Sequence, residues 1–505
     1  MNLFDFIENN EARDVRLLQL LLAASTPGCS YQQLLESLQV TPSTLAATVA
    51  SLQQRLQTFN EAAQIRQCNE GKGRRIFLET KKPILFDGLY RQLLRQSKEY
   101  RILATLLEKG KCRVGDLTTE LYMSKAAIFR KIKQLNHAMK PYALKIKNST
   151  LIGSEVEIRY LYYQLVLNSY DAKQLAALAE TFSVRRYIKR FEKQSQFKFS
   201  HDGEIKLSVW LGIALKRHFT SDKRFTDVSE NILQQLKSDR LYQLIRNWLF
   251  EIAKKHALVL DEFEVYNIYI FMCSMEILDL SKMESSQVQK YLATALPIIH
   301  QRNQEFLTAL HQIFPAFDAH VSVASQTRIH YSLNQLHHRV QFFNEKLMLL
   351  DSFDKPDVFG EALPVDVHNL QALAHRLTTI AVKDRFAFDE VAKRRFAARY
   401  YLNLLIAIHE QIAQPVRIGI LIPGDWLASG GLVNRMRMAL GGVCQIAIEA
   451  AETSKTYDLL VTTSELTPAR MAADHLYRIS KIETVYDMDQ IKKLVTSIHH
   501  EKQPF

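Results

Sequence analysis

The side chains of this chain best equipped for chemistry are cations gathered on one short stretch. Between Ser124 and Met139 stand Lys125, Arg130, Lys131 and Lys133, while Ile128, Ile132 and Leu135 recur at the spacing of a single helix face. A guanidinium offers paired N–H donors to a phosphate or to a guanine edge, and a lysine supplies a mobile point charge. Ser124 stands where a helix begins, its hydroxyl able to accept an otherwise unpaired amide of the first turn. Two further groups share this chemistry, Lys72, Arg74 and Arg75 around a glycine pair, and Lys145 and Lys147 shortly after the main stretch. Phosphate contacts of this kind supply affinity and register, and base contacts supply sequence preference.

The neighbouring residues supply the elements that would position these groups. Upstream, KEYRILATLLEKGK carries Ile102, Leu103, Leu106 and Leu107 at helical spacing, and VGDLTTELY forms a short second helix before a turn at Met123. Downstream, LKIKNSTLIGSEVEIRYL reads as two strands, a polar turn between them, and a new helix. Three helices and a hairpin make a winged helix-turn-helix, whose second motif helix enters the major groove of DNA. Residues 10–85 repeat the plan. EARDVRLLQLLLAA is one helix, SYQQLLESLQV a second capped by Ser30, and TPSTLAATVASLQQRL a third with Pro42 at its start, where a missing amide costs little. IRQCNEGKGRRIFLE is then a hairpin turning at Gly71 and Gly73, with Lys72, Arg74 and Arg75 at its tip. This third helix is poor in charge, so its base contacts would come from Ser43, Thr44, Thr48 or Gln53. A helical packing or dimerisation module is the alternative for this first region, as a basic hairpin without a nucleic-acid partner is for the second.

Charge distribution points the same way. Residues 61–150 hold 20 Lys+Arg against 8 Asp+Glu, a surplus equal to the +12 of all 505 residues. The rest of the chain is balanced, and a surplus confined to one region is what phosphate neutralisation requires. A length of 505 residues accommodates three to five domains, and 47% apolar with 23% charged residues is ordinary for a globular protein. No uncharged apolar run is long enough for a membrane span, and the acidic start MNLFDFIENNEARD lacks a signal-peptide layout. Cys29, Cys68, Cys112, Cys273 and Cys444 are scattered without metal-type or disulfide spacing. A reduced cytoplasm, no membrane, no metal and no cofactor are the expectations.

The pattern Leu121-Tyr122-x-Ser124, then Arg130-Lys131-Ile132 and Leu135-Asn136, then Leu151-x-Gly153-x-Glu155 and Arg159 resembles the DNA-binding domain of the Mga-type transcription regulators of Gram-positive bacteria. Residues 166–412 read as almost entirely helical, in two portions of similar plan meeting near SKMESSQ (281–287). The first contains LSVWLGIALKRHF and DEFEVYNIYIFMCSMEIL, and the second IHYSLNQLHHRVQFF and RRFAARYYLNLLIAIHEQ. They resemble tandem sugar-phosphotransferase (PTS) regulation domains, whose histidines accept phosphate from a phosphocarrier protein. That resemblance implies phosphorylation at His201 or His218 in the first portion and at His337, His338 or His409 in the second. A neutral imidazole is nucleophilic near pH 7, as this chemistry needs. Phe271 occupies the late-helix place where a histidine is usual.

After Pro415 the pattern becomes PVRIGILI, CQIAIEA and YDLLVTT strands with LVNRMRMAL and IKKLVTSIH helices, a small parallel α/β arrangement. It resembles the enzyme IIB component of sugar phosphotransferase systems, but IPGDWLASGG (422–431) lacks the cysteine that accepts phosphate in that component. Cys444 begins the second strand, the place of a packing residue.

The expectation is a multidomain, mainly α protein. Two winged helix-turn-helix domains span 1–88 and 89–165, two helical-bundle regulation domains span 166–286 and 287–413, and a IIB-like α/β domain spans 414–505. The function implied is a DNA-binding regulator, an activator of promoters and not an enzyme. Histidine phosphorylation would tune it, and the IIB-like domain would join it into a homodimer. Double-stranded DNA and the phosphocarrier protein are the implied partners. A sugar-operon activator, an RNA-binding antiterminator and a phosphotransferase component are the alternatives. Against antitermination stands the helical character of the first 165 residues, and against the enzyme the missing cysteine.

Overall fold

The computed structural model describes residues 3–24, 28–59, 63–70, 73–80, 86–218, 230–255, 259, 261–293, 296–315, 317–343, 365–382, 390–412, 414–422, 426–441, 445–464, 472–479 and 484–502. The chain forms two compact units, one of residues 1–299 with 334–351 and 385–393, the other of 300–333, 352–384 and 394–505. Lys72 and Cys444 lie outside the described residues.

The first unit opens with a 3-10 turn, Leu3–Phe6, and helix α1, Asn9–Ala23. A two-residue strand β1, Cys29–Ser30, leads into α2, Tyr31–Leu38, and α3, Pro42–Phe59, after which β2, Ala63–Glu70, and β3, Gly73–Thr80, form a hairpin. The sheet order is β1-β3-β2, antiparallel throughout. Ser30 caps α2 by accepting the Gln33 amide at 3.2 Å. Asp14 of α1 holds α3 by accepting from Arg55 Nε at 2.8 Å and Ser51 Oγ at 2.7 Å. Burial raises the Asp14 pKa against the lowering effect of these two donors.

Helix α4, Phe86–Gln96, joins this module to the next, made of α5, Lys98–Lys109, α6, Val114–Leu121, and α7, Lys125–Ala138, with β4, Lys145–Lys147, and β5, Thr150–Ile152. The β4–β5 hairpin turns at Asn148 and Ser149, both at positive φ (51° and 66°), the geometry of a two-residue turn matched to strand twist. Gly153 follows at φ +148°, and a Cβ there would stand 2.3 Å from Leu144 Cδ2, so only glycine fits.

Eight helices continue the unit: α8, Glu155–Ser169; α9, Ala172–Thr181; α10, Arg185–Ser195; α11, His201–His218; α12, Glu230–Leu236; α13, Arg240–Lys255; α14, Glu262–Ser274; and α15, Ser285–Leu292. Helix α8 is buried along most of its length, and α14 throughout its last eleven residues. Their core is aromatic. Trp210 stacks on Phe271 with centroids 4.5 Å apart, and Tyr163 meets the Phe271 ring edge-on at 5.1 Å. Phe271 therefore sits at the centre of the core, a packing position and not an accessible one.

Helices α16, Pro297–Ile313, α17, Phe317–His320, α18, Val323–Phe342, α19, Val365–Val382, and α20, Glu390–Ile412, follow. In the second unit Phe306 stacks on Tyr401, 4.9 Å between centroids. The chain then forms β6, Val416–Leu421, α21, Trp426–Leu440, β7, Ile446–Ala450, β8, Thr456–Thr462, β9, Ala472–Arg478, and α22, Val485–Lys502. The sheet is wholly parallel in the order β7-β6-β8-β9. Val416, Ile418, Ile420, Leu459 and Val461 meet Leu432, Met436, Leu440, Ile491 and Val495 of the helices in one apolar core. Strand β9 is absent from the sequence reading because its side chains alternate between half-buried and exposed, as an edge strand's do.

His338 of α18 is fully buried in the first unit, and its ring Nδ1 lies 2.8 Å from the Asn334 carbonyl, which accepts from it. Burial pushes its pKa down to about 4 from an ordinary 6.5. Above about 6.5 its contribution to stability is fully present, and it is lost as pH falls toward 4, because only the unfolded chain binds the proton. The loss reaches about 3 kcal/mol at the acid end of that window. We expect His338→Leu to flatten the fall in unfolding midpoint between pH 6.5 and 4.5, measured by chemical denaturation at each pH. An unchanged slope would refute this origin.

Candidate nucleic-acid interface

Helix α7 presents two faces of opposite character. Inside lie Ile128 and Leu135, buried against the module's core. Outside, Lys125, Ala126, Phe129, Arg130 and Lys133 are all exposed, and the series 122, 125/126, 129/130, 133 follows one face of a helix. Tyr122, in the turn that precedes the helix at φ 53°, is 92% exposed, and Phe129 is 58% exposed. Sequence reasoning missed both, because an aromatic at helical spacing is ordinarily core. Ser124 is occupied as the N-cap, accepting the Ala127 amide at 3.2 Å.

Lys131 belongs to neither face as expected. It is only 13% exposed, and its Nζ donates to Glu8 Oε1 and Glu99 Oε1, each at 2.6 Å. Burial works against its charge, but the two carboxylates outweigh it and raise the pKa. Lys131 thus ties α7 to the start of α1 and to α5.

The wing behind α7 is fixed by Asn136, whose side chain accepts the Ile146 amide at 2.6 Å and donates to the Ile146 carbonyl at 3.1 Å. With Ile146 facing in, Lys145 and Lys147 are exposed on the other side of β4. The first module uses the same device. Gln53 of α3 accepts the Ile65 amide at 2.5 Å and donates to the Ala63 carbonyl at 3.4 Å, which removes it from the outer surface. Thr48 is buried with its hydroxyl on the Thr44 carbonyl at 2.8 Å, while Ser43 is exposed and Thr44 half-buried. Arg74 is exposed but bound, its Nε on Gln67 Oε1 at 2.7 Å and its guanidinium over the Tyr31 ring at 5.0 Å. Arg75 donates to the Gly28 carbonyl at 3.1 Å.

Behind the second wing, α8 enters the helical core through a buried ionic chain. Arg159 donates from Nε to Glu155 at 3.0 Å, and from its two terminal nitrogens to Glu264 of α14 at 2.6 and 2.9 Å. Arg217 of α11 donates to both Glu155 oxygens at 3.1 and 2.8 Å. His218 Nδ1 lies 3.5 Å from Glu264 Oε1. Burial alone would lower the Arg159 pKa, and the Glu264 and Glu155 carboxylates more than reverse it.

The candidate histidines differ in access. His201 is exposed on the first turn of α11, and His218 is 22% exposed on its last turn. His337 and His338 are fully buried, and His409 of α20 is 9% exposed. No group of three or more His, Cys, Asp or Glu side chains among the described residues could hold a metal ion.

Residues 84–166, which include α4 through most of α8, match the family described as the Mga helix-turn-helix domain. Residues 84–166 form an Mga-type helix-turn-helix domain. It is also 28% identical over 156 residues to the capsule synthesis positive regulator AcpB of Bacillus anthracis, a stretch covering 30% of this chain and 29% of that protein. The similarity therefore spans less than a third of the relative's length. Within the Mga-type module the residues of its sequence pattern divide cleanly. Leu121, Leu135 and Leu151 pack inside, Ser124 caps, Asn136 and Gly153 shape the wing, and Glu155 and Arg159 form the ionic chain. Tyr122, Ser124 and Arg130 of those named are exposed, and Ser124 is spent on its cap.

Removing the Lys131 amine strands the buried Glu99 carboxylate. We expect Lys131→Ala to destabilise the first unit by roughly 3 kcal/mol, measured by urea unfolding. A loss under about 0.5 kcal/mol, the scale of a surface substitution, would show that the pair does not hold α7 in place.

Proposed function

We propose that this chain is a DNA-binding transcription regulator, acting as an activator, with α7 as its recognition helix. The observation carrying this reading is the outer face of α7, where Lys125, Arg130 and Lys133 surround Phe129 and Ala126, all five exposed among the described residues. Arg130 has the geometry for a guanine edge, and Phe129 and Ala126 suit a thymine methyl. Lys145 and Lys147 on the wing hold backbone phosphates. In this reading Lys131 positions the helix and Ser124 caps it. In the first module Ser43 and Thr44 face the DNA, with Arg74 and Arg75 near phosphate, whereas Thr48 and Gln53 serve the module's own packing. That the relative is a positive regulator of capsule synthesis supports activation as the direction.

The helices beyond the module supply regulation in this proposal, with the phosphocarrier protein of a sugar phosphotransferase system as phosphate donor. His201 and His218 are the accessible acceptors, and burial disfavours His337, His338 and His409. A phosphoryl group on His218 would bring close to two negative charges beside Glu264 and to the C-terminal end of α11, both unfavourable to an anion. Glu264 would be driven from Arg159, loosening the DNA-binding module from the helical core. The C-terminal α/β domain, IIB-like in its parallel sheet but without a cysteine in residues 422–431, is assigned to self-association. Leu427, Met438, Val485 and Tyr486 are exposed on its helices, and a dimer would place two modules on two half-sites.

Three measurements test these assignments. Affinity for mixed genomic duplex DNA should fall steeply with salt, and Arg130→Ala/Lys133→Ala should bind more weakly with a log–log slope shallower by roughly 2. Equal binding by wild type and the double variant would end the recognition-helix assignment. On a duplex selected from random sequence, replacing thymine by uracil should weaken the wild type at one or two positions and leave Phe129→Ala indifferent there. Loss of the same size in both would remove Phe129 from base reading. For regulation, His218→Glu should change DNA affinity several-fold and His218→Gln should not. Equal effects would exclude charge at His218 as the signal.

A further inference from the structure

Beside the ionic chain the first unit contains a half-open cavity of about 410 Å³, lined by the ends of α9 and α10 with α11, α13 and α14. That volume is in the range of small-molecule sites. Its walls are mainly apolar, with Leu211, Ala214, Leu249, Ala253 and Ile268 forming the interior and Phe182 and Tyr187 flanking it. Among the described residues, these helices thus leave an apolar space between them.

The polar lining has a definite sense of charge. Glu264 is the one carboxylate among the lining residues, and it is already held by Arg159 through two hydrogen bonds, with His218 beside it. Arg186 is exposed at the rim, its guanidinium 4.8 Å from the centroid of the Tyr187 ring and its Nη2 donating to the Tyr187 hydroxyl at 2.9 Å. No carboxylate among the described residues pairs with it. A cationic ligand would meet an unneutralised guanidinium and find Glu264 taken. An anionic head would find a cation held in place by an aromatic ring, and an apolar tail would find a preformed space.

We propose that this cavity binds a medium-chain aliphatic carboxylate, its tail among Leu211, Ala214, Leu249 and Ile268 and its head at Arg186. His218 and Glu264 line the same cavity, so occupancy bears on the side chains that hold Arg159. Binding itself stands apart from the DNA-binding reading, and its test does not involve DNA.

The test is titration calorimetry of the full chain with decanoate below its micelle concentration, alongside decanol as the neutral analogue. Wild type should bind decanoate saturably at one site and at least tenfold more tightly than decanol. Arg186→Gln, a surface change, should weaken decanoate at least tenfold and leave decanol unaltered. Ala214→Phe, which fills the cavity, should abolish both, with circular dichroism checking its fold; should it not fold, Arg186→Gln decides alone. Hydrogen exchange should show decanoate protecting residues 211–218 and 264–268. Equal affinity for decanoate and decanol, decanoate binding unchanged by Arg186→Gln, or protection confined to other helices would overturn the proposal.

Discussion

Two arginines and two glutamates closed off from water fix how the DNA-binding module meets the helices behind it. Arg159 cannot escape its burial by losing a proton, since a guanidinium stays charged at any ordinary pH. Its charge must be matched where it stands, and Glu155 on its own helix supplies only part of the match. The remainder comes from Glu264 on α14, while Arg217 on α11 balances Glu155 in turn. Replacing any member leaves an uncompensated charge in the interior, a cost of roughly 3–5 kcal/mol. Helices α8, α11 and α14 are therefore held in one arrangement, and α8 is also the closing helix of the matched domain.

From that constraint follows a division of labour along residues 98–166. The ionic chain anchors α8, Gly153 and Asn136 set the wing on α7, and Lys131 holds α7 against α5 and the start of α1. With its back so fixed, α7 offers a face of three cations and two small or aromatic apolar groups. A rigid support matters because base-edge contacts depend on positions accurate to about half an ångström. A disturbance at Glu264 reaches this face through α8, with His218 and the apolar cavity both adjacent to it.

Much of this was legible in the sequence, and the rest was hidden for identifiable reasons. Helical spacing located α5 and α7, Ser30 and Ser124 announced the caps of α2 and α7, and the alternation in LKIKNSTLI marked the wing. Pairs close in sequence, such as Glu155 and Arg159, lie on one helix face by spacing alone. What spacing could not supply was the partner 105 residues away that completes the match, or the carboxylates 123 and 32 residues away that turn Lys131 inward. Lys131 and Lys133 look alike in sequence and differ only in what the fold brings beside them. Phe129 illustrates the converse, an aromatic at core spacing left outside. Gln53 and Thr48 are polar residues of α3 that the first module itself uses. Strand β9 escaped notice because its side chains are at best half-buried, so the strand carries no apolar run.

The most direct test of this account is hydrogen exchange of the full chain with Glu264 replaced by glutamine. The substitution keeps the size but removes the charge that Arg159 requires and turns one of the two oxygens that accept from its guanidinium into a donor. The account predicts faster exchange in α14 and, to a similar degree, in α8 at residues 155–166, with the β4–β5 wing following. Faster exchange confined to α14, with α8 as protected as before, would contradict the claim that this ion pair holds the DNA-binding module to the helices behind it.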